Sequence, residues 1–146
     1  MNNADIVAAL KTQLEGAAGL SYVEQVLVGN RQIESITLYP TLIIEPVSEA
    51  ESQEVYGVCE NRLTLSVMGF INVINPELQI TGDANTKGIL DFVNDVKTAI
   101  DADYTLGGTA VHLVMRDTQY SSELFPTRMF ALEIEVWFRQ TKGTRT

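Results

Sequence analysis

RMFALEIEVWFR, residues 128–139, alternates without a break. Phe130, Leu132, Ile134, Val136 and Phe138 fall on one side of an extended chain; Glu133, Glu135, Trp137 and Arg139 fall on the other, because successive side chains of a strand point to opposite faces. One dry face and one wet face mark an antiparallel sheet packed on a single side. Working back from this strand, Val111, Leu113 and Met115 alternate with His112, Val114 and Arg116, and Pro126 ends the turn between the two strands. Leu63, Leu65, Val67 and Ile71 alternate with Arg62, Thr64, Ser66, Met68 and Phe70, giving a third strand with one apolar and one mixed face. Earlier still, Leu42, Ile43 and Ile44 lie between Pro40 and Pro46 within Leu38–Val47. Neither proline donates a backbone hydrogen bond, so the ladder is expected to be confined to the residues between them. Tyr22–Val28 alternates weakly, with Tyr22, Glu24, Val26 and Val28 on one face, and Gly29-Asn30 supplies a turn signal.

Two segments switch to helical spacing. Ile6, Val7, Leu10 and Leu14 predict a short helix over Asp5–Leu14, with Asn3 as its cap and Asp5 in the first turn, where the dipole favours an anion. Ile89, Phe92, Val93, Val96 and Ile100 predict a second over Thr86–Ile100, capped by Asp83 or Thr86, with Lys87, Asp91, Asp95 and Lys97 facing away. Glu45–Glu60 reads as a long solvated connection, and Asn72–Asp83 as a second loop, marked by Asn75, Pro76 and Gly82. The expected architecture is therefore α+β: a mainly antiparallel sheet with the two helices packed on one face, in a single domain over residues 1–146.

Composition narrows the functional classes. The 146 residues include 19 acidic and 10 basic side chains and one His, a net charge of −9. Such a surface repels phosphate backbones, which argues against gripping nucleic acid. Cys59 is the only cysteine, so no intrachain disulfide is expected; the N-terminus lacks the basic and apolar regions of a secretory signal, and no apolar run approaches the ~20 residues that span a bilayer. The chain is expected in a reducing cytoplasm, without membrane contact.

Chemistry-bearing patterns are sparse. Gly107-Gly108 precedes a strand, so no helix N-terminus follows to receive a phosphate. One His and one Cys fall short of a zinc set, and no cofactor or metal is expected. His112 and Asp117 with a serine lack anything that would position them as a triad, and Cys59 beside Glu60 is a poor thiolate, better read as small apolar filler. Glu133 and Glu135 resemble the paired carboxylates of hydrolases, but like charges two apart also occur on solvated strand faces. Trp137 on that face reads as an interface aromatic, or as packing against the N-terminal helix. Glu45–Glu60 holds five glutamates and no Lys or Arg. It reads as a plain solvated loop, as an assembly arm ordered by neighbours, or as a divalent-cation site without the EF-hand spacing.

Taken together, the short helix ending at Leu14, the strand YPTLIIEP (39–46) with its acidic extension, the strand Arg62–Phe70, the helix Thr86–Ile100 and the closing pair Val111–Tyr120 and Arg128–Arg139 resemble the tail terminator, or tail-completion, proteins of long-tailed bacteriophages. The resemblance runs over nearly the whole chain and lies in element order and texture. It implies a non-enzymatic virion protein assembled in the bacterial host cytoplasm. A homo-oligomeric, hexameric ring would cap the tail tube, stop its polymerisation and join the head connector, while DNA passes through without specific binding. The residues expected at subunit interfaces are Glu49, Glu51, Glu54 and Tyr56 on the acidic arm, and Glu133, Glu135 and Trp137 on the last strand. Another phage neck or minor tail protein of the same fold, or a small cytoplasmic adaptor module, would share this texture.

Overall fold

The computed structural model describes residues 3–51 and 58–141 and turns the alternating segments into five strands of one sheet. In chain order the elements are α1 (Asn3–Gly16), β1 (Gln25–Val28), β2 (Thr41–Glu51), β3 (Val58–Asn72), α2 (Pro76–Thr81), α3 (Ile89–Asp101), β4 (His112–Ser121) and β5 (Thr127–Thr141). The strands lie in the order β1-β2-β3-β5-β4. All neighbours are antiparallel except β1 and β2, which run parallel. The longest ladder joins β3 to β5, in unbroken register from Val58↔Thr141 to Asn72↔Thr127.

The expected α+β architecture is the observed one. Phe130, Leu132, Ile134, Val136 and Phe138 are all fully buried, beside Leu63, Leu65 and Val67 of β3. Above them lie Ile6, Leu10 and Leu14 of α1 and Ile89, Phe92, Val93, Val96 and Ile100 of α3. Each such side chain contributes about 1.5–3 kcal/mol on leaving water. The Gln13 side-chain amide ties the two helices together by donating to the carbonyls of Ala99 (2.9 Å) and Ile100 (3.2 Å) at the end of α3. On the opposite face a smaller cluster of Ile36, Ile43 and Phe70, flanked by Tyr39 and Met68, accounts for the mixed pattern of β3.

Several local expectations are corrected. Pro46 does not end β2, which runs on to Glu51 with a bulge between Pro46 and Ser48. The Ile44 carbonyl accepts from Gly29 on the β1 side; residues two apart point the same way, so the proline's missing donor also faces that side. β1 has already stopped there, at Val28, and no ladder bond is lost. Consequently Glu45–Glu60 is not one solvated connection: Glu45–Glu51 belongs to β2 and Val58–Glu60 to β3. The loop expected over Asn72–Asp83 contains α2, whose first turn is held by the Asn75 side chain accepting from the Glu77 and Leu78 amides, with Pro76 at the first helical position. Asn-Pro-Glu was the available signal.

The caps also differ. Asn3 lies inside α1 and its side-chain amide donates to Glu49. Asp83 accepts from the Asn85 and Thr86 amides in a loop turn, and α3 starts only after Gly88. A Cβ on Gly88 would stand 2.5 Å from the Ile80 carbonyl oxygen, so this approach of α3 to α2 requires glycine. The first strand is shorter than Tyr22–Val28. Tyr22 precedes it, sets its ring edge-on against Phe92 at 5.9 Å and donates its hydroxyl to Asp95 (2.7 Å). Burial first, and then the Asp95 carboxylate, push its phenol far above the ordinary tyrosine range.

Candidate functional site

The outer face of β5, away from the helices, gathers charge and aromatic surface from three strands. Register places Arg62 of β3 and His112 of β4 on either side of Trp137, and Thr64 and Val114 on either side of Glu135. The His112 ring stacks on the Trp137 indole, 5.4 Å between centroids at 15°. The Arg62 guanidinium sits 5.4 Å from the same ring, a cation–π arrangement. Glu135 accepts from Arg116 Nε at 2.6 Å and lies 3.5 Å from Arg62 Nε, with its side chain only 12% exposed. Its oxygens therefore face guanidinium groups, not a reacting centre, and Glu133 beside it is exposed. The pair is not arranged as two carboxylates flanking one substrate.

Trp137 consequently does not pack on the N-terminal helix, since α1 covers the opposite face. His112 is held by its ring stack, and Asp117 is an exposed residue where the β4–β5 register shifts, so the two form no triad. Arg62, Arg116 and His112 carry this cluster together with Glu135 and Trp137. Sequence reasoning missed their grouping because the signal appears only once β3, β5 and β4 are known to be neighbours.

The acidic arm occupies the other face. Glu49 is registered opposite Leu63 and accepts from Asn3 of α1, and Glu51 is opposite Asn61. The seven expected interface residues thus do not form one surface: Glu49 and Glu51 lie on the helix side, Glu133, Glu135 and Trp137 on the far side. Glu54 and Tyr56 lie outside the described residues. Between α1 and β2 runs a groove of about 690 Å³, walled mainly by Ala4, Val7, Ala8, Pro46, Val47 and Leu63, with Lys11 and Glu49 on its rim. Apart from that rim its lining is largely apolar. Among the described residues no three His, Cys, Asp or Glu side chains come together to hold a metal ion, and no helix is long and apolar enough to cross a membrane.

No family model matches the chain, and no curated protein does. Among solved structures it is similar to a chain from the virion of a native gene transfer agent (GTA) particle, with a TM-score of 0.53 and 13% identity. The likeness covers 91% of this chain and 93% of that one, and it is a likeness of fold.

Proposed function

We propose that this chain is a structural protein of a phage-like virion, and within that class a tail terminator. It would close a ring, hexameric by resemblance, at the head-proximal end of the tail tube, stop tube growth and meet the head connector. The observation that carries the reading is the two-way coverage of the fold match: nearly all of this chain aligns with nearly all of a virion component. The acidic balance of −9 suits a ring through which DNA passes, because a negative wall does not hold a phosphate backbone. In the ring, the arm with Glu49, Glu51, Glu54 and Tyr56 and the face with Glu133, Glu135 and Trp137 meet neighbouring proteins; the stacked Trp137, already fixed between Arg62 and His112, offers a rigid aromatic anchor. No catalysis and no cofactor enter this role.

Light scattering during size exclusion tests it. A six-fold multiple of 16.1 kDa is expected, alone or on addition of tail tubes. A strict monomer at high concentration under both conditions would refute the reading. In cells, tails assembled without the protein should overrun their length and lack heads.

A further inference from the structure

We propose that β4 pairs edge to edge with the β4 of a second copy, antiparallel about a two-fold axis between Arg116 and Asp117. The contact is separate from the ring proposed above, because a two-fold contact closes at two copies. It belongs to the free subunit, before any tail tube is met.

β4 is the last strand of the sheet, with β5 on one side. Among the described residues no backbone hydrogen bond other than its ladder with β5 reaches 112–121. Residues 142–146 do not reach the centre of the open edge: Thr141 stands eight residues along β5 from Glu133, about 26 Å at ~3.3 Å per residue, whereas those five residues span at most ~18 Å. Residues 52–57 join β2 to β3, on the far side of β5.

What selects a second β4 is its bulge. Met115 is registered with Ile134 and Thr118 with Leu132, so Arg116 and Asp117 together face Glu133. Both point to the outer side of the sheet: Arg116 donates to Glu135, and Asp117 lines a small hollow with Ser66, Gln119 and Ala131. Leu113, Met115, Thr118 and Tyr120 point to the helix side, opposite the buried Val136, Ile134, Leu132 and Phe130 of β5. Because the two bulged residues share a side, the order of sides reads the same from either end of the strand. A regular strand laid on this edge meets an unmatched residue at the bulge. A second β4 brings its own bulge and agrees in side over all ten residues. One register achieves this: Arg116 opposite Asp117, Met115 opposite Thr118, Val114 opposite Gln119, Leu113 opposite Tyr120 and His112 opposite Ser121, each occurring twice. A slip of one or two residues sets helix-side residues against outer ones.

The chemistry agrees with that register. Arg116 and Asp117 are the Arg and Asp of a strand with no Lys or Glu, and each meets its opposite across the axis. Behind them, one strand further from the partner, β5 carries Glu135, held by Arg62 and Arg116, and the exposed Glu133. Tyr120, 47% exposed, lies against the half-buried Leu113 of the other copy, an aromatic on an aliphatic side chain. A bulge and two charges ordinarily keep other strands off an open edge. Here the same features turn away a regular strand and admit a copy of themselves.

Charge exchange tests this. Without tail tubes, sedimentation velocity should show wild type as a species of twice 16.1 kDa. Asp117→Lys and Arg116→Glu each set like charges across the axis twice, and each alone should associate about tenfold more weakly. Mixed, the two variants restore opposite charges at both places, and the two-chain species should return. Register is read separately: a Val114→Cys copy and a Gln119→Cys copy should link to each other under mild oxidation, and neither should link through that position to itself, as mass spectrometry of the joined peptides shows. A wild type that stays monomeric without tail tubes overturns the pairing, while a six-fold species on tubes would still support the ring. A two-chain species indifferent to both charge variants, or a mixture that stays monomeric, overturns the axis between Arg116 and Asp117. Absence of the 114–119 link overturns the register even where circular dichroism shows a charge variant unfolded. Linked pairs that give no six-fold species on tail tubes refute the ring and leave this contact standing.

Discussion

Replacing Gly69 with alanine gives the sharpest test of the packing. Gly69 stands directly opposite Phe130 in the β3–β5 ladder, and the benzyl ring lies over the glycine. A Cβ at this position would meet the ring edge, closest to Cε1, with Cζ at 2.6 Å and Cδ1 at 2.9 Å. Ordinary carbon contacts need about 3.5–4.0 Å, so ring or backbone must move by roughly an ångström. The ring has nowhere to go, being fully buried with its edge against Phe92 at 5.3 Å and 89°, and Phe92 is itself braced by Tyr22. Overpacking of this kind costs about 1–3 kcal/mol, and three sub-contact distances against a locked ring place Gly69→Ala near the upper end. The expected loss is about 3 kcal/mol, which for a chain of this size lowers the melting temperature by about 6–12 °C. Urea unfolding followed by circular dichroism should show a lower midpoint at unchanged slope. Phe130→Leu removes Cε1 and Cζ, the two nearest of these atoms, so Gly69→Ala should cost markedly less on that background, a coupling a double-mutant cycle reads directly. A loss below half a kilocalorie, or full additivity with Phe130→Leu, would refute the close approach.

Two further outcomes follow from the core and one loop. Phe92→Ala and Ile134→Ala remove fully buried side chains from the helix and sheet sides of the same cluster and should each cost about 2–5 kcal/mol in urea unfolding; less than half a kilocalorie at both would mean the buried face is misassigned. Asp103 is held below its ordinary value of 3.8 by the Thr105 hydroxyl and the Gly107 and Thr105 amides, which all donate to it. A depressed carboxylate stabilises fully above the unfolded value and loses that contribution as pH falls through the lower native one. Asp103→Asn should therefore flatten the acid limb of the stability profile below pH 3.8, and an unchanged limb would reject the turn's role.

The elements with sustained periodicity were legible. β5, β3 and α3 each carry five or so apolar residues at one spacing, and that many matches leaves little choice of period. β1 was harder: four residues carry no information about parallel or antiparallel pairing, which is set by where the chain between Val28 and Thr41 delivers β2. Pro46 misled because the rule against proline in a ladder applies per edge, and the open edge is invisible before the strand order is known. α2 was lost to its length, six residues being too few for a periodic signal, although Asn75-Pro76-Glu77 spelled a start. The surface cluster fared similarly. Glu135 and Trp137 were visible as unusual residues on a wet face, while Arg62 and Arg116, 54 residues apart, become partners of one carboxylate only through pairing across three strands.

The long β3–β5 ladder also sets an order of events during synthesis. β2 and β3 are near neighbours in the chain and can pair as soon as both are made. β3 then waits for its other partner while α2, α3 and β4 are translated, since the ladder joins Asn72 to Thr127 and Val58 to Thr141. Between Asn72 and Thr141 lie 69 steps of translation, about 3–14 s at roughly 5–20 residues per second. For that interval Leu63, Leu65 and Val67 present an apolar strand with an open edge, the state in which chains associate wrongly. Two copies meeting on one message would find matching edges before either found its own β5. The sheet is finished from its centre last, so the yield of native subunits should depend on how fast the last strand arrives and how many incomplete neighbours surround it.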